Sequence, residues 1–149
     1  MQPTVRSVTT SDLAIVHRIE LDSYTDPWPR SIFHLMRGRA PDLFLVAEVD
    51  NVVIGYIIGE IEWRDSVRVG HVMNIAIVEN WRRKGLANRL LNEIERRFAE
   101  RQAKYSYLEV RASNTPAQNL YSKRGYAKVS LLPGYYRDEN GLAMEKPLP

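Results

Sequence analysis

An α/β fold with a mixed, mostly antiparallel central sheet flanked by helices is what this sequence predicts, on three observations. Segments rich in Val, Ile, Tyr and Leu alternate with segments whose apolar residues recur at helical spacing. Turn-linked strand segments in the first half read as three adjacent antiparallel strands. The 149 residues allow one domain with a proper core and fall short of two ordinary ones. No linker, repeat or low-complexity tract interrupts the order, so residues 1–149 are expected to form a single domain.

Thr4 to Val8 reads as a short first strand. Thr9-Thr10-Ser11-Asp12 supplies N-cap residues for a helix with Leu13, Val16, Ile19 and Glu20 at three- and four-residue spacing. It should fade near Tyr24, because Asp26-Pro27-Trp28-Pro29 is loop chemistry. A second helix is expected over Ser31 to Arg37, closed by Gly38 and Pro41. Leu43 to Val49 and Val52 to Ile61 form a hairpin about Asp50-Asn51; a turn at Arg64-Asp65-Ser66 leads into Val69 to Val78, with Gly70 inside that strand.

Leu86, Leu90, Leu91, Ile94 and Phe98 then mark a long helix over Lys84 to Ala103. Tyr105 to Arg111 is a strand. Thr115 to Arg124 is a helix with Pro116 in its first turn and Gly125 after its end. Tyr126 to Leu131 and Leu142 to Lys146 are closing strands.

Hydrophobic residues make up 44% and charged residues 26% of the chain, a globular balance. Asp, Glu, Lys or Arg interrupts every apolar run before it reaches the roughly 18 residues of a membrane span, so no membrane partner is expected. Met1-Gln2-Pro3-Thr4-Val5-Arg6 has no basic-then-apolar leader pattern. The chain has no cysteine, which excludes thiol nucleophiles, disulfides and Cys-ligated zinc. A cytoplasmic location is expected.

The net charge is only +3, but Arg82 to Lys104 alone carries +5. A local basic segment suits a local anion, a phosphorylated ligand first of all. It equally suits a solvated helix face with Glu–Arg pairs. What favours the anion is position. The run Ile75-Ala76-Ile77-Val78-Glu79-Asn80-Trp81-Arg82-Arg83-Lys84-Gly85-Leu86-Ala87 joins a strand directly to the long helix, and a helix N-terminus presents backbone N–H groups and a positive dipole end. Gly85 has no side chain to keep a ligand from the backbone, and Ala87 is small.

Arg82-Arg83-Lys84-Gly85-Leu86-Ala87 resembles the acetyl-CoA pyrophosphate motif of the GNAT acetyltransferases, with Ala87 where Gly is more usual. Leu108-Glu109-Val110-Arg111-Ala112-Ser113-Asn114, Ala117, Leu120-Tyr121 and Gly125-Tyr126 are similar to the second half of that fold. Gly134-Tyr135-Tyr136 with Met144 is similar to the RimI and archaeal catalytic-subunit branch of N-terminal acetyltransferases. The resemblance implies a GNAT-like domain with a V-shaped splay between its two central strands, and acetyl-CoA as co-substrate. It implies that Ile75, Ala76 and Ile77 pair with the pantetheine arm, that the backbone from Arg83 through Lys84, Gly85, Leu86 and Ala87 to Asn88 holds the pyrophosphate, and that Arg82, Asn114 and Tyr121 also contact the cofactor.

An attacking amine must lose a proton and a thiolate must leave, so a base and an acid are wanted. Glu109, mid-strand between Leu108 and Val110, is by itself either a surface rung or a cleft base. The resemblance implies the base, sharing a water with His71 on the facing strand. It also makes Tyr121 the acid, where its spacing alone would equally make it a core-covering Tyr. No metal site is expected from two candidate ligands.

For the acceptor, Tyr24, Pro27 and Trp28 in the loop between the first two helices stand out, as do Tyr135 and Tyr136 placed before the last hairpin. The function so implied is transfer of acetyl to the α-amine of protein or peptide N-termini, a ribosomal protein or the ribosome being a further partner. Acetylation of lysine or a small amine, and a non-catalytic acyl-CoA-binding domain, are the rivals. The presence of both Glu109 and Tyr121 favours catalysis. Direct nucleic-acid binding is not expected, since no aromatic-and-basic strand pattern is present, and the expected state is a monomer or weak oligomer.

Overall fold

The computed structural model describes residues 2–149. Its elements are β1 (Thr4–Ser7), α1 (Leu13–Ser23), α2 (Arg30–Arg39), β2 (Phe44–Val49), β3 (Val52–Arg64), β4 (Val67–Ile77), α3 (Leu86–Glu100), β5 (Tyr105–Arg111), α4 (Thr115–Lys123), β6 (Ala127–Tyr136) and β7 (Glu139–Pro147). The seven strands run in the order β1-β2-β3-β4-β5-β7-β6. β1/β2, β2/β3, β5/β7 and β6/β7 are antiparallel, and β4/β5 is parallel. This is the mixed sheet the pattern predicted.

The parallel ladder is short. It pairs Val69, Gly70 and His71 with Tyr105, Ser106 and Tyr107, while β4 runs on to Ile77 without it. That is the splay expected of the two central strands. Close approach at its start requires Gly70: a Cβ there would lie 2.2 Å from the ring of Phe98.

Most element ends follow from local chemistry. Asp12 Oδ2 accepts the Thr9 N–H at 2.7 Å and the Thr9 hydroxyl at 3.0 Å, closing the turn that opens α1. Asp50-Asn51 and Asp65-Ser66 both have positive φ, the signature of two-residue hairpin turns. The second lets β3 reach Arg64 and β4 begin at Val67, lengthening both strands beyond the expectation. α2 passes through Gly38 to Arg39, because one glycine costs a helix only about 1 kcal/mol and the stop is Pro41. α3 begins at Leu86 and not at Lys84, since Arg83 and Gly85 both have positive φ. It ends in a Schellman turn, with Ala103 N–H bonded to Phe98 O and Gln102 N–H to Ala99 O.

The last hairpin corrects the sequence reading. Tyr135 and Tyr136 lie inside β6, not before the hairpin, whose turn is Arg137-Asp138. Pro133 and Gly134 do not end the strand; they sit where the register shifts between Leu132 and Tyr136. Gly134 has φ +63 and donates its N–H to Asn140 Oδ1 at 2.8 Å. Proline is tolerated because β6 is an edge strand.

The chain resolves into two compact units, residues up to Glu60 together with Asn74–Arg97, and Ile61–Met73 together with Phe98–Pro149. The first is cored by Phe33, Phe44, Leu45, Tyr56, Ile57, Leu90, Leu91 and Ile94, with Phe33 edge-on to Tyr56. The second is cored by Phe98, Leu108, Val110, Tyr126, Ala143 and Met144. No helix among the described residues is long and apolar enough to cross a membrane.

Candidate active site

In the second unit, β5 alternates strictly: Ser106, Leu108 and Val110 are buried, and Tyr107 and Glu109 face the other way. Glu109 Oε1 contacts Nε2 of His71 at 2.7 Å. The contact is direct, where a shared water was expected. Pairing of His71 with Tyr107 sets the ring two residues from Glu109 on the same face of the neighbouring strand, and the 2.7 Å contact leaves no gap for water. The other ring nitrogen, Nδ1, lies 2.6 Å from Glu62 Oε2 on β3. Burial would lower the His71 pKa, but the hydrogen bonds and charges of Glu109 and Glu62 outweigh it and raise the pKa above its ordinary value. Among the described residues no three acidic or imidazole groups converge as metal ligands; the two carboxylates lie on opposite nitrogens of one ring.

Tyr121 is buried on α4, edge-on to Tyr126, and burial pushes its phenol up to about 12. Asn114 caps α4 through its Oδ1, which accepts the Ala117 N–H at 3.2 Å, so the amide N–H2 group is the part it can offer a ligand. Tyr135 is half exposed and stands edge-on to Tyr136, whose ring carries the Arg111 guanidinium at 4.5 Å. Burial, then the Glu109 charge, pushes the Tyr135 phenol up to about 12.

In the first unit, the residues expected at the cofactor form a continuous path. β4 ends in Ile75, Ala76 and Ile77, against which Gly55 of β3 packs closely: a Cβ there would sit 3.2 Å from Ala76 O. The Ile75 N–H is met by Asn74 Oδ1 at 3.1 Å, and its carbonyl accepts the Tyr24 hydroxyl. Arg82 folds back, donating Nε to Ile77 O at 2.8 Å. Arg83 and Lys84 are exposed, with Lys84 over the Trp81 ring. Gly85, at φ +81, has open space where a side chain would stand. The first intrahelical bond of α3 runs from Arg89 N–H to Gly85 O, so the amides of Leu86, Ala87 and Asn88 precede it. The Leu86 side chain is buried and anchors the turn. This turn fits an anionic cofactor.

Tyr24, Pro27 and Trp28 lie where expected, in the α1–α2 loop, with Trp28 packed on Phe33 at 5.6 Å. What holds the loop was missed by the sequence reading. Glu20 is 1% exposed, and its carboxylate accepts the Trp28 N–H at 2.8 Å, the Asn74 amide at 2.7 Å and the Tyr56 hydroxyl. A glutamate inside the apolar stripe of an amphipathic helix was the available signal. Glu62 was missed as well.

The acetyltransferase (GNAT) family model matches residues 13–126. The chain belongs to that family. An N-alpha-acetyltransferase of Saccharolobus solfataricus is 40% identical to this GNAT chain over 158 aligned positions, covering 97% of the chain and 93% of the relative. A putative [ribosomal protein bS18]-alanine N-acetyltransferase of Bacillus subtilis is 34% identical over 143 positions, covering 94% and 92%. The crystal structure of Ard1 from Thermoplasma volcanium superposes with a TM-score of 0.92 at 26% identity, covering 100% of this chain and 99% of that one. As a GNAT protein, the chain is an acetyltransferase, and the rival of a non-catalytic binding domain falls away.

Proposed function

We propose that this GNAT protein transfers acetyl from acetyl-CoA to the α-amino group of peptide and protein N-termini, residues 1–149 serving as one catalytic domain. The observation that carries the reading is Glu109, a largely buried carboxylate of β5 held by a 2.7 Å contact to His71 Nε2. When bound, acetyl-CoA supplies the activated thioester; the chain supplies the proton management. Glu109 takes the proton of the attacking amine. An α-amine, with pKa near 7.7–8.0 against about 10.4 for lysine, is already about half neutral near pH 8, where lysine is almost wholly charged, and needs only one modest base. Tyr121 returns a proton to the departing thiolate. Burial makes its phenol a weaker acid than it is in water, but a thiolate in the same dry surroundings binds a proton more strongly too.

In this reading Ile75, Ala76, Ile77, Asn114 and the Arg82–Asn88 turn hold the cofactor, while Tyr24, Pro27, Trp28, Tyr135 and Tyr136 contact the acceptor. The protein works in the cytoplasm. The N-terminus of a ribosomal protein is one acceptor to try, given the name of the Bacillus subtilis relative. The test is acetyl-CoA-dependent CoA release on short peptides that vary in their first two residues, with Nα-blocked lysine peptides as control. Turnover with free N-termini and none with blocked peptides is expected; turnover confined to the blocked lysine peptides overturns the reading.

A further inference from the structure

We propose that Glu62 is a positioning residue for acetyl transfer: its carboxylate holds a proton on Nδ1 of His71, so that the ring meets Glu109 through a second N–H and Glu109 remains a carboxylate able to take the amine proton. The inference deepens the reading above and rests on it for its catalytic consequence.

Glu62 on β3, His71 on β4 and Glu109 on β5 form a row across three neighbouring strands, with contacts of 2.6 and 2.7 Å at the two ring nitrogens. A neutral imidazole carries one N–H and one lone pair. At these distances a lone pair set against a carboxylate oxygen is repulsive, so each contact needs its own proton, two in all among the three groups.

Their location follows from what surrounds the row. Glu62 Oε1 accepts Arg64 Nε at 3.1 Å and Nη2 at 2.8 Å; burial would raise the Glu62 pKa, but the hydrogen bonds from His71 and then from Arg64 outweigh it and hold the carboxyl below its ordinary value, ionised. Arg64 in turn lies over the Tyr107 ring at 4.0 Å, and Tyr107 stands edge-on to His71. From β5 the facing groups are Glu109 and the Tyr107 hydroxyl, and from β6 the Tyr135 hydroxyl, both phenols being held neutral by raised pKa values. With Glu62 ionised, the proton between it and His71 belongs to the ring. Arg64, Glu62, a doubly protonated His71 and Glu109 then sum to zero charge, the condition under which a half-buried cluster is tolerated.

Without the Glu62 charge the ring loses both its reason to keep a second proton and its fixed orientation. A Gln at 62 can donate to Nδ1 or accept from it. In the second arrangement the Nε2 lone pair faces Glu109 and draws a proton onto the base.

The experiment is nitrogen-resolved NMR of the His71 ring in the full chain, joined to pH–rate profiles. At pH 7 the wild-type ring is expected to carry protons on both nitrogens. In Glu62→Gln the His71 titration midpoint should fall by about one pH unit or more, since one negative neighbour is gone. The same variant should lose kcat on the order of tenfold with the KM for acetyl-CoA unchanged, and Glu62→Asp, which keeps the charge, should recover part of the rate. A singly protonated ring in the wild type, or a Glu62→Gln protein whose titration and pH–rate profile superpose on the wild type, overturns the proposal. The ring's proton count is read without any acetyl transfer, so its failure is distinct from failure of the assigned function.

Discussion

Glu20 Oε2 accepts the backbone N–H of Trp28 at 2.8 Å, so a carboxylate buried under α1 fixes the loop that carries Tyr24, Pro27 and Trp28. The same side chain answers Tyr56 from β3 and Asn74 from β4. One buried acid therefore ties the proposed acceptor loop to the strand that leads to Ile75.

Removing it should be expensive. Glu20→Ala leaves three polar groups without their acceptor and is expected to cost about 3 kcal/mol or more in urea unfolding, with Glu20→Gln costing about 1–2 kcal/mol because one oxygen remains. In Glu20→Gln, if the loop binds the acceptor, the KM for peptide should rise severalfold while that for acetyl-CoA holds. Unfolding curves that superpose on the wild type would show that the buried carboxylate carries no weight.

Gly85 offers a separate handle on the cofactor. Because its φ is +81 and no protein atom lies within 4 Å of a Cβ there, Gly85→Ala tests backbone strain alone, and a loss of about 1 kcal/mol in stability is expected. Gly85→Glu adds bulk and negative charge beside the first amides of α3. Titration calorimetry should find acetyl-CoA affinity lowered at least about tenfold, about 1.4 kcal/mol, relative to Gly85→Ala. Equal affinities in the two variants would remove this turn from the cofactor site.

Much of this was legible in the residues. β5 begins and ends where its alternation says, and the Thr9–Asp12 turn opens α1 as its side chains imply. Glu109 and His71 were both singled out, though not their direct contact. The omissions share a cause. In Glu60-Ile61-Glu62-Trp63-Arg64 alternation puts charges on one face, but it does not distinguish a face turned to water from one turned to His71. Glu20 meets partners 36 and 54 residues away, a distance over which local spacing carries no information. The Tyr135-Tyr136 pair was displaced because the strand was expected to end at Leu131, whereas an edge strand continues through Pro133 and Gly134 in a register shift.

Glu109 is assigned removal of the amine proton, a role that the pH–rate profile of Glu109→Gln on a free N-terminal peptide tests. Loss of the base should lower kcat on the order of 10²-fold at pH 7, and the deficit should shrink as pH rises past the α-amine pKa and the acceptor deprotonates unaided. Tyr121→Phe, run alongside, should lower kcat with no such recovery, because the proton it supplies is not replaced at high pH. A Glu109→Gln enzyme with wild-type kcat at neutral pH, or one whose deficit is the same at every pH, would contradict the assignment.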